Sequence, residues 1–259
     1  MEKELTEEEL QKVKTKSLDN KNGLFRHCMN KIKLNHSIGQ KLRTALITAG
    51  VLTDKNCYAE VLGQFYQATK VLERRLHERK RFSTIVKKVV DLKPEYNFTK
   101  GYEADLEALL GKSWRQRIIA VTADPTADYV LLLQNASDAE LVAGAFILWG
   151  PMIVGGGAAL YPRISRNFGK EATNVFQSVI GSRRAQRKRD FMVIFDSIAR
   201  VDENERLFYE IVEAAGKFME MNNKILLSVQ QRPWWMYYVW AGTAIATALW
   251  VSFSHFKSK

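Results

Sequence analysis

Residues 233–254, PWWMYYVWAGTAIATALWVSFS, contain no Lys, Arg, Asp or Glu. About twenty helical residues span the roughly 30 Å of a bilayer core. Trp234, Trp235, Tyr237, Tyr238 and Trp240 gather at one end of the run. Trp250, Phe253 and Phe256 gather at the other, beside Lys257 and Lys259. Aromatic belts with cationic flanks mark the two membrane interfaces. A buried core helix is the competing reading, and the length and terminal position of the run weigh against it. The segment reads as a tail anchor, with the large part of the chain on its N-terminal side. Gly242 and Ala246 stand four apart, as do Ala244 and Ala248. Small residues at that spacing let a second transmembrane helix approach closely. The expected partners are therefore the lipid bilayer and other transmembrane subunits. An anchor with a short basic end enters either the mitochondrial or the endoplasmic reticulum membrane, so an intracellular membrane is expected.

The rest of the 259-residue chain has the balance of a globular domain, 46% apolar and 26% charged overall. The net charge of +11 favours an anionic partner. Nucleic acid fits poorly, because the aromatics occupy core-like or membrane-like positions and do not alternate with exposed basic residues. Cys28 and Cys57 have no partner at ligand spacing, which argues against a disulfide scaffold or a zinc site. The N-terminus, MEKELTEEELQK, has neither the apolar core of a signal peptide nor the acid-poor character of a transit peptide.

Strand alternation is absent over any useful length, and the chain reads as all-α. Residues 1–20 form a charged extension with a capping box expected at Thr6 and Glu9. A helical domain is expected over 21–231 and the anchor over 233–254, with Arg232-Pro233 as the boundary. Leu24, Phe25, Met29, Ile32, Leu34, Ile38, Leu42 and Leu46 carry the first helical pattern. Asp54 is the expected N-cap of a second helix of about 25 residues. Residues 79–100 read as an irregular basic connection. Further helices are expected over 101–110, 111–121, 125–134, 137–159, 170–180, 184–198 and 202–229.

One feature conflicts with the helical pattern. The run 149-WGPMIVGGG-157 lies inside an apolar helix, yet each interior glycine costs about 1 kcal/mol relative to alanine. Something must approach this backbone closely enough to exclude side chains.

The block 102-YEADLEALLGKSWRQRI, followed by 140-ELVAGAFILWGPMIVGGGAALYPRI and the terminal anchor, resembles heme oxygenase. The resemblance runs from about residue 24 to 230. It is carried by Asp105, Leu106, Gly111 and Trp114, by the glycine-bearing helix after Glu140, and by His36 at the family's separation from the acidic Glu73. It implies one helical bundle with heme between a proximal and a distal helix. His36 would ligate the iron, as neutral imidazole commonly does. Lys33 would pair with a propionate, and Gly155 and Gly156 would lie against the macrocycle. Heme is the one cofactor implied. A lone histidine is otherwise more often a surface group, and His27, His77 and His255 read that way.

The sequence also departs from the family. Three residues before the glycine pair the family carries an aspartate that orders the proton-delivering water, and a glycine precedes it. Here Met152 stands at the aspartate's place and Pro151 at the glycine's, and shifting the frame by one residue aligns Gly150 but puts Pro151 in the aspartate's place. Met donates no proton. Phe146 replaces the family's distal tyrosine, Met29 a proximal basic residue, and Phe191 and Phe195 the late-helix Lys and Arg. Arg183, Arg184, Arg187, Lys188 and Arg189 stand nearby as substitutes for those cations or as a solvated basic face. Three readings follow. A non-catalytic subunit of a membrane complex is favoured, because catalytic and propionate positions have become apolar. An active heme oxygenase would yield biliverdin, CO and Fe(II), with O2 and a reductase. A heme carrier or sensor would bind without turnover.

Overall fold

The computed structural model describes residues 23–91, 97–181, 183–200 and 202–230, with Tyr238 and Thr247 beyond them. The N-terminal extension with Thr6 and Glu9, and the anchor with Gly242, Ala244, Ala246 and Ala248, lie outside the described residues. Every regular element among the described residues is helical.

The helix α1 spans Leu24–Thr48, and a 3₁₀ turn at Val51–Thr53 leads to α2, Lys55–Arg79. Asp54 caps α2 as expected, its Oδ1 accepting from the N–H groups of Asn56 (2.8 Å) and Cys57 (3.2 Å). Short helices α3 (Thr84–Val90), α4 (Phe98–Leu110), α5 (Trp114–Ala120) and α6 (Asp124–Gln134) follow. The connection read as irregular over 79–100 thus holds a helix. Ser83 accepts from the Val86 N–H, and Val86 and Val89 are fully buried beneath the basic surface of that helix.

The central element is α7, Asp138–Ile153. A capping box at Ser137 and Glu140 starts it, and Arg79 at the end of α2 grips Asp138 through two bonds of 2.8 and 3.1 Å. Leu141 through Trp149 are all buried. A helix apolar on every side belongs in a core. By length and composition the stretch Asp138–Phe168 would also cross a membrane, and its burial shows where its apolar surface goes instead.

Beyond α7 come α8 (Tyr161–Phe168), α9 (Asn174–Gln177), α10 (Arg184–Ile198) and α11 (Glu205–Leu227). α8 falls in a stretch for which no helix was expected. The long helix expected over 137–159 ends early, at Ile153, and the one expected over 170–180 is a 3₁₀ turn followed by a single helical turn.

α1 and α11 run side by side in the same direction. Lys31 reaches Glu213 at 2.5 Å, and the Asn223 amide donates to the Asn35 carbonyl at 2.8 Å. A Cβ at Gly39 would meet Asn223 Oδ1 at 2.5 Å and Met219 Cε at 3.1 Å, so glycine permits this close crossing. α1 begins on Gly23, which offers no side-chain cap. Asp196 of α10 supplies one from across the fold, accepting from the Phe25 N–H at 2.9 Å.

Candidate functional site

His36 lies in the middle of α1 and is half-buried. Burial first, then the positive Arg43, lowers its pKa. Both effects favour the neutral imidazole, the form that binds a metal. Lys33, one turn earlier, is exposed, and Met29 packs against the core. Leu34 and Ile38, expected on the apolar face, are instead 74% and 42% exposed.

The distal element is the end of α7. Pro151 is exposed in its last turn and Met152 is half-buried. The helix then opens: the N–H groups of both Val154 (2.8 Å) and Gly155 (3.0 Å) donate to the Gly150 carbonyl. A Cβ at Gly155 would stand 2.8 Å from the Pro151 carbonyl oxygen, and one at Gly157 would stand equally close. These two glycines let the chain fold back over its own carbonyl. Gly156 differs, being exposed, with nothing within 4 Å of an added Cβ. Two of the three glycines are therefore required by the backbone itself, and Gly156 alone borders open space. Among the described residues no hydrogen bond joins His36 to this turn.

Phe146, Phe191 and Phe195 are brought together. Their rings lie 4.5 Å (Phe191–Phe195), 5.4 Å (Phe146–Phe195) and 6.5 Å (Phe146–Phe191) apart. Phe25 closes the cluster at 5.4 Å from Phe146 and 6.4 Å from Phe191. Phe191 and Phe195 are fully buried. This cluster joins the start of α1 to α7 and α10. Each buried ring contributes on the order of 1.5–3 kcal/mol by leaving water, with edge and stacked contacts adding to it. The nearby arginines serve other bonds. Arg184 donates to the Gly155 carbonyl (3.2 Å), Arg187 to the Ile180 carbonyl (3.0 Å) and Arg189 to Gln186 (2.7 Å), while Lys188 is exposed.

The remaining motif residues hold the frame. Asp105 is fully buried and accepts from the Asn174 N–H (2.5 Å), the Asn174 amide (3.0 Å) and the Val175 N–H (3.1 Å), capping α9. Burial raises its pKa to about 6 against those three donors. Leu106 is buried, and Trp114 is buried edge-on to Tyr66 at 5.2 Å. Gly111 ends α4 at φ 75°, a conformation that disfavours side chains. Glu73 accepts from the Phe98 and Thr99 N–H groups at the start of α4. Three anchoring residues were missed from the sequence: Asp196, Glu60 and Gln64. Glu60 accepts from the Gln230 N–H at 2.9 Å, and Gln64 bonds Thr126 and the Val121 carbonyl. Each acts across a long stretch of chain, so no local pattern marks it.

The fold is thus a helical bundle with His36 on its first long helix and a glycine-opened apolar helix at its centre. The sequence model of the heme oxygenase family matches residues 35–228, and the chain belongs to that family. Solved structures share the fold. Heme oxygenase 2 from Chlamydomonas reinhardtii, without heme, is 24% identical over 82% of this chain and 99% of its own, with a TM-score of 0.68. Heme oxygenase-1 from the cyanobacterium Synechocystis, in complex with heme, is 18% identical over 88% and 99%, with a TM-score of 0.70. The heme oxygenase from Leptospira interrogans is 17% identical over 79% and 98%, with a TM-score of 0.65. Among curated proteins, none matches the chain.

His36, held toward the neutral form, suits an iron ligand. Phe146, Phe191 and Phe195 are packed core, while the cation Arg184 reaches the Gly155 carbonyl.

Proposed function

We propose that this chain is a membrane-anchored, non-catalytic heme oxygenase relative that serves as a structural or accessory subunit of a membrane complex. The observation that carries this reading is the Phe25–Phe146–Phe191–Phe195 cluster. Where the family needs a hydroxyl and cations, four rings form continuous core. Pro151 and Met152 at the proton-delivery position point the same way, since neither orders a water as a carboxylate does. A bundle retains its fold without its acid, because α7 is held by its capping box, by Arg79–Asp138 and by its buried apolar residues.

A second reading, a heme carrier or sensor, draws on His36, whose surroundings favour the ligand form. The active enzyme, forming biliverdin with a reductase, keeps the same histidine but lacks the carboxylate.

Titration of the detergent-solubilised full chain with hemin separates these readings. The subunit reading expects no Soret band that depends on His36, and a native gel of solubilised membranes placing the chain in an assembly larger than itself. A band abolished by His36→Ala moves the assignment to the carrier.

A further inference from the structure

We infer that the end of the bundle where α1 and α11 finish lies flat on an anionic bilayer surface, with Lys55, Arg117, Arg166 and Lys170 against the headgroups and Ile119 and Leu227 at the apolar boundary. The inference rests on reading residues 233–254 as an anchor, and it specifies which face of the domain the membrane meets.

Val229 is buried, and the Gln230 N–H is fixed to Glu60 at 2.9 Å. Pro233 follows three residues later, and three residues extend at most about 11 Å along any path. The uncharged run, read as an anchor, thus begins within that length of chain from Gln230. Glu60 is five residues after Lys55, about 8 Å up α2 from its start. The parallel course of α1 and α11 places both their C-terminal ends on this side, where Val51–Thr53 turns into α2.

Lys55 is exposed in the first turn of α2. Arg117 donates to Asn56 at 3.0 Å, which brings α5 alongside. Ile118 packs onto Gly63, leaving no room for a Cβ there, and turns Ile119 outward to 71% exposure. Leu227, three residues before the Gln230 bond, is 67% exposed. From the other side of α2, Phe168 stacks on Tyr58 at 5.3 Å and Asn167 bonds the Leu52 carbonyl, which brings the exposed Arg166 and Lys170 to the same end. Of the acids here, Asp54 is committed to the α2 cap and Glu60 to Gln230, while Asp124 and Glu171 are exposed. Cations ringing exposed aliphatic residues match an anionic lipid interface, where apolar tips enter and charges stay at the headgroups. Beyond the far end of α2, about 37 Å from Lys55, Phe82 is 77% exposed and makes an internal control.

The full chain is incorporated into phosphatidylcholine vesicles with and without phosphatidylserine. Ile119→Cys, Leu227→Cys and Phe82→Cys variants carry a fluorophore, and headgroup-spin-labelled lipid is the quencher. The native Cys28 and Cys57 are buried. Quenching several-fold stronger at 119 and 227 than at 82, weakened by omitting phosphatidylserine and by Lys55→Glu with Lys170→Glu, is the expected result. Chain that enters vesicles but is quenched equally at all three positions, or without regard to lipid charge, overturns the docking face. Chain that does not enter vesicles overturns the anchor reading and the inference with it.

Discussion

Phe191, read from the resemblance as standing at a family cation position, is fully buried among other rings. Phe191→Lys therefore buries a charge among rings, and the carboxylate beside them, Asp196, is already bonded to the Phe25 N–H. We expect destabilisation of about 3–5 kcal/mol, read as a lowered denaturant midpoint with unchanged slope. A loss under about 1 kcal/mol would mean that the site opens to water. The identity of these phenylalanines was legible from their place in the resemblance. Their mutual stacking was not, because it joins residues on three separate helices. Asp105 shows the same limit. The sequence marked it as a family position, and the structure makes it a cap for α9. Its pKa of about 6 lies above the ordinary 3.8, so the folded chain holds a proton there that the unfolded chain has released. Folding takes up a proton between those values, and stability falls as pH rises through them. From pH 5 to 7 this group should cost about 1 kcal/mol, and Asp105→Asn should flatten that slope in melts collected across the range.

A sequence-local cap made α2 legible but not α3, whose Ser83 cap lies in the stretch read as irregular. Asp54 announced α2, and the 3.6-residue pattern of α11 placed it within a few residues. The end of α7 was not legible. The apolar run continues past Ile153, but Pro151 removes an N–H and the glycines let the chain fold back on the Pro151 carbonyl. The glycine triplet mixes two causes that a sequence cannot separate. Gly156→Ala should change stability by less than about 0.5 kcal/mol, because open space receives the methyl group. Gly155→Ala should cost about 1–3 kcal/mol, because its Cβ meets a carbonyl oxygen at 2.8 Å. Equal effects in thermal melts would remove the distinction. At the start of α1, Asp196→Ala should cost about 1 kcal/mol and raise amide exchange at Phe25, since Gly23 brings no cap of its own.

Across the whole molecule, a heme oxygenase fold is held around α7, and Phe25, Phe146, Phe191 and Phe195 form part of its core. The frame depends on α7 and its crossings, and those need volume and capping, not acidity. Fold and family were legible because they rest on apolar period and glycine placement spread over much of the chain. The state of the pocket depends on a few side chains from α1, α7 and α10 meeting in space. Single-turnover chemistry tests the central claim most directly. The full chain is mixed with hemin, supplied with a reductase and air, and the products are separated by chromatography. The account predicts no biliverdin above the level given by His36→Ala. Stoichiometric biliverdin that disappears in that variant would contradict it.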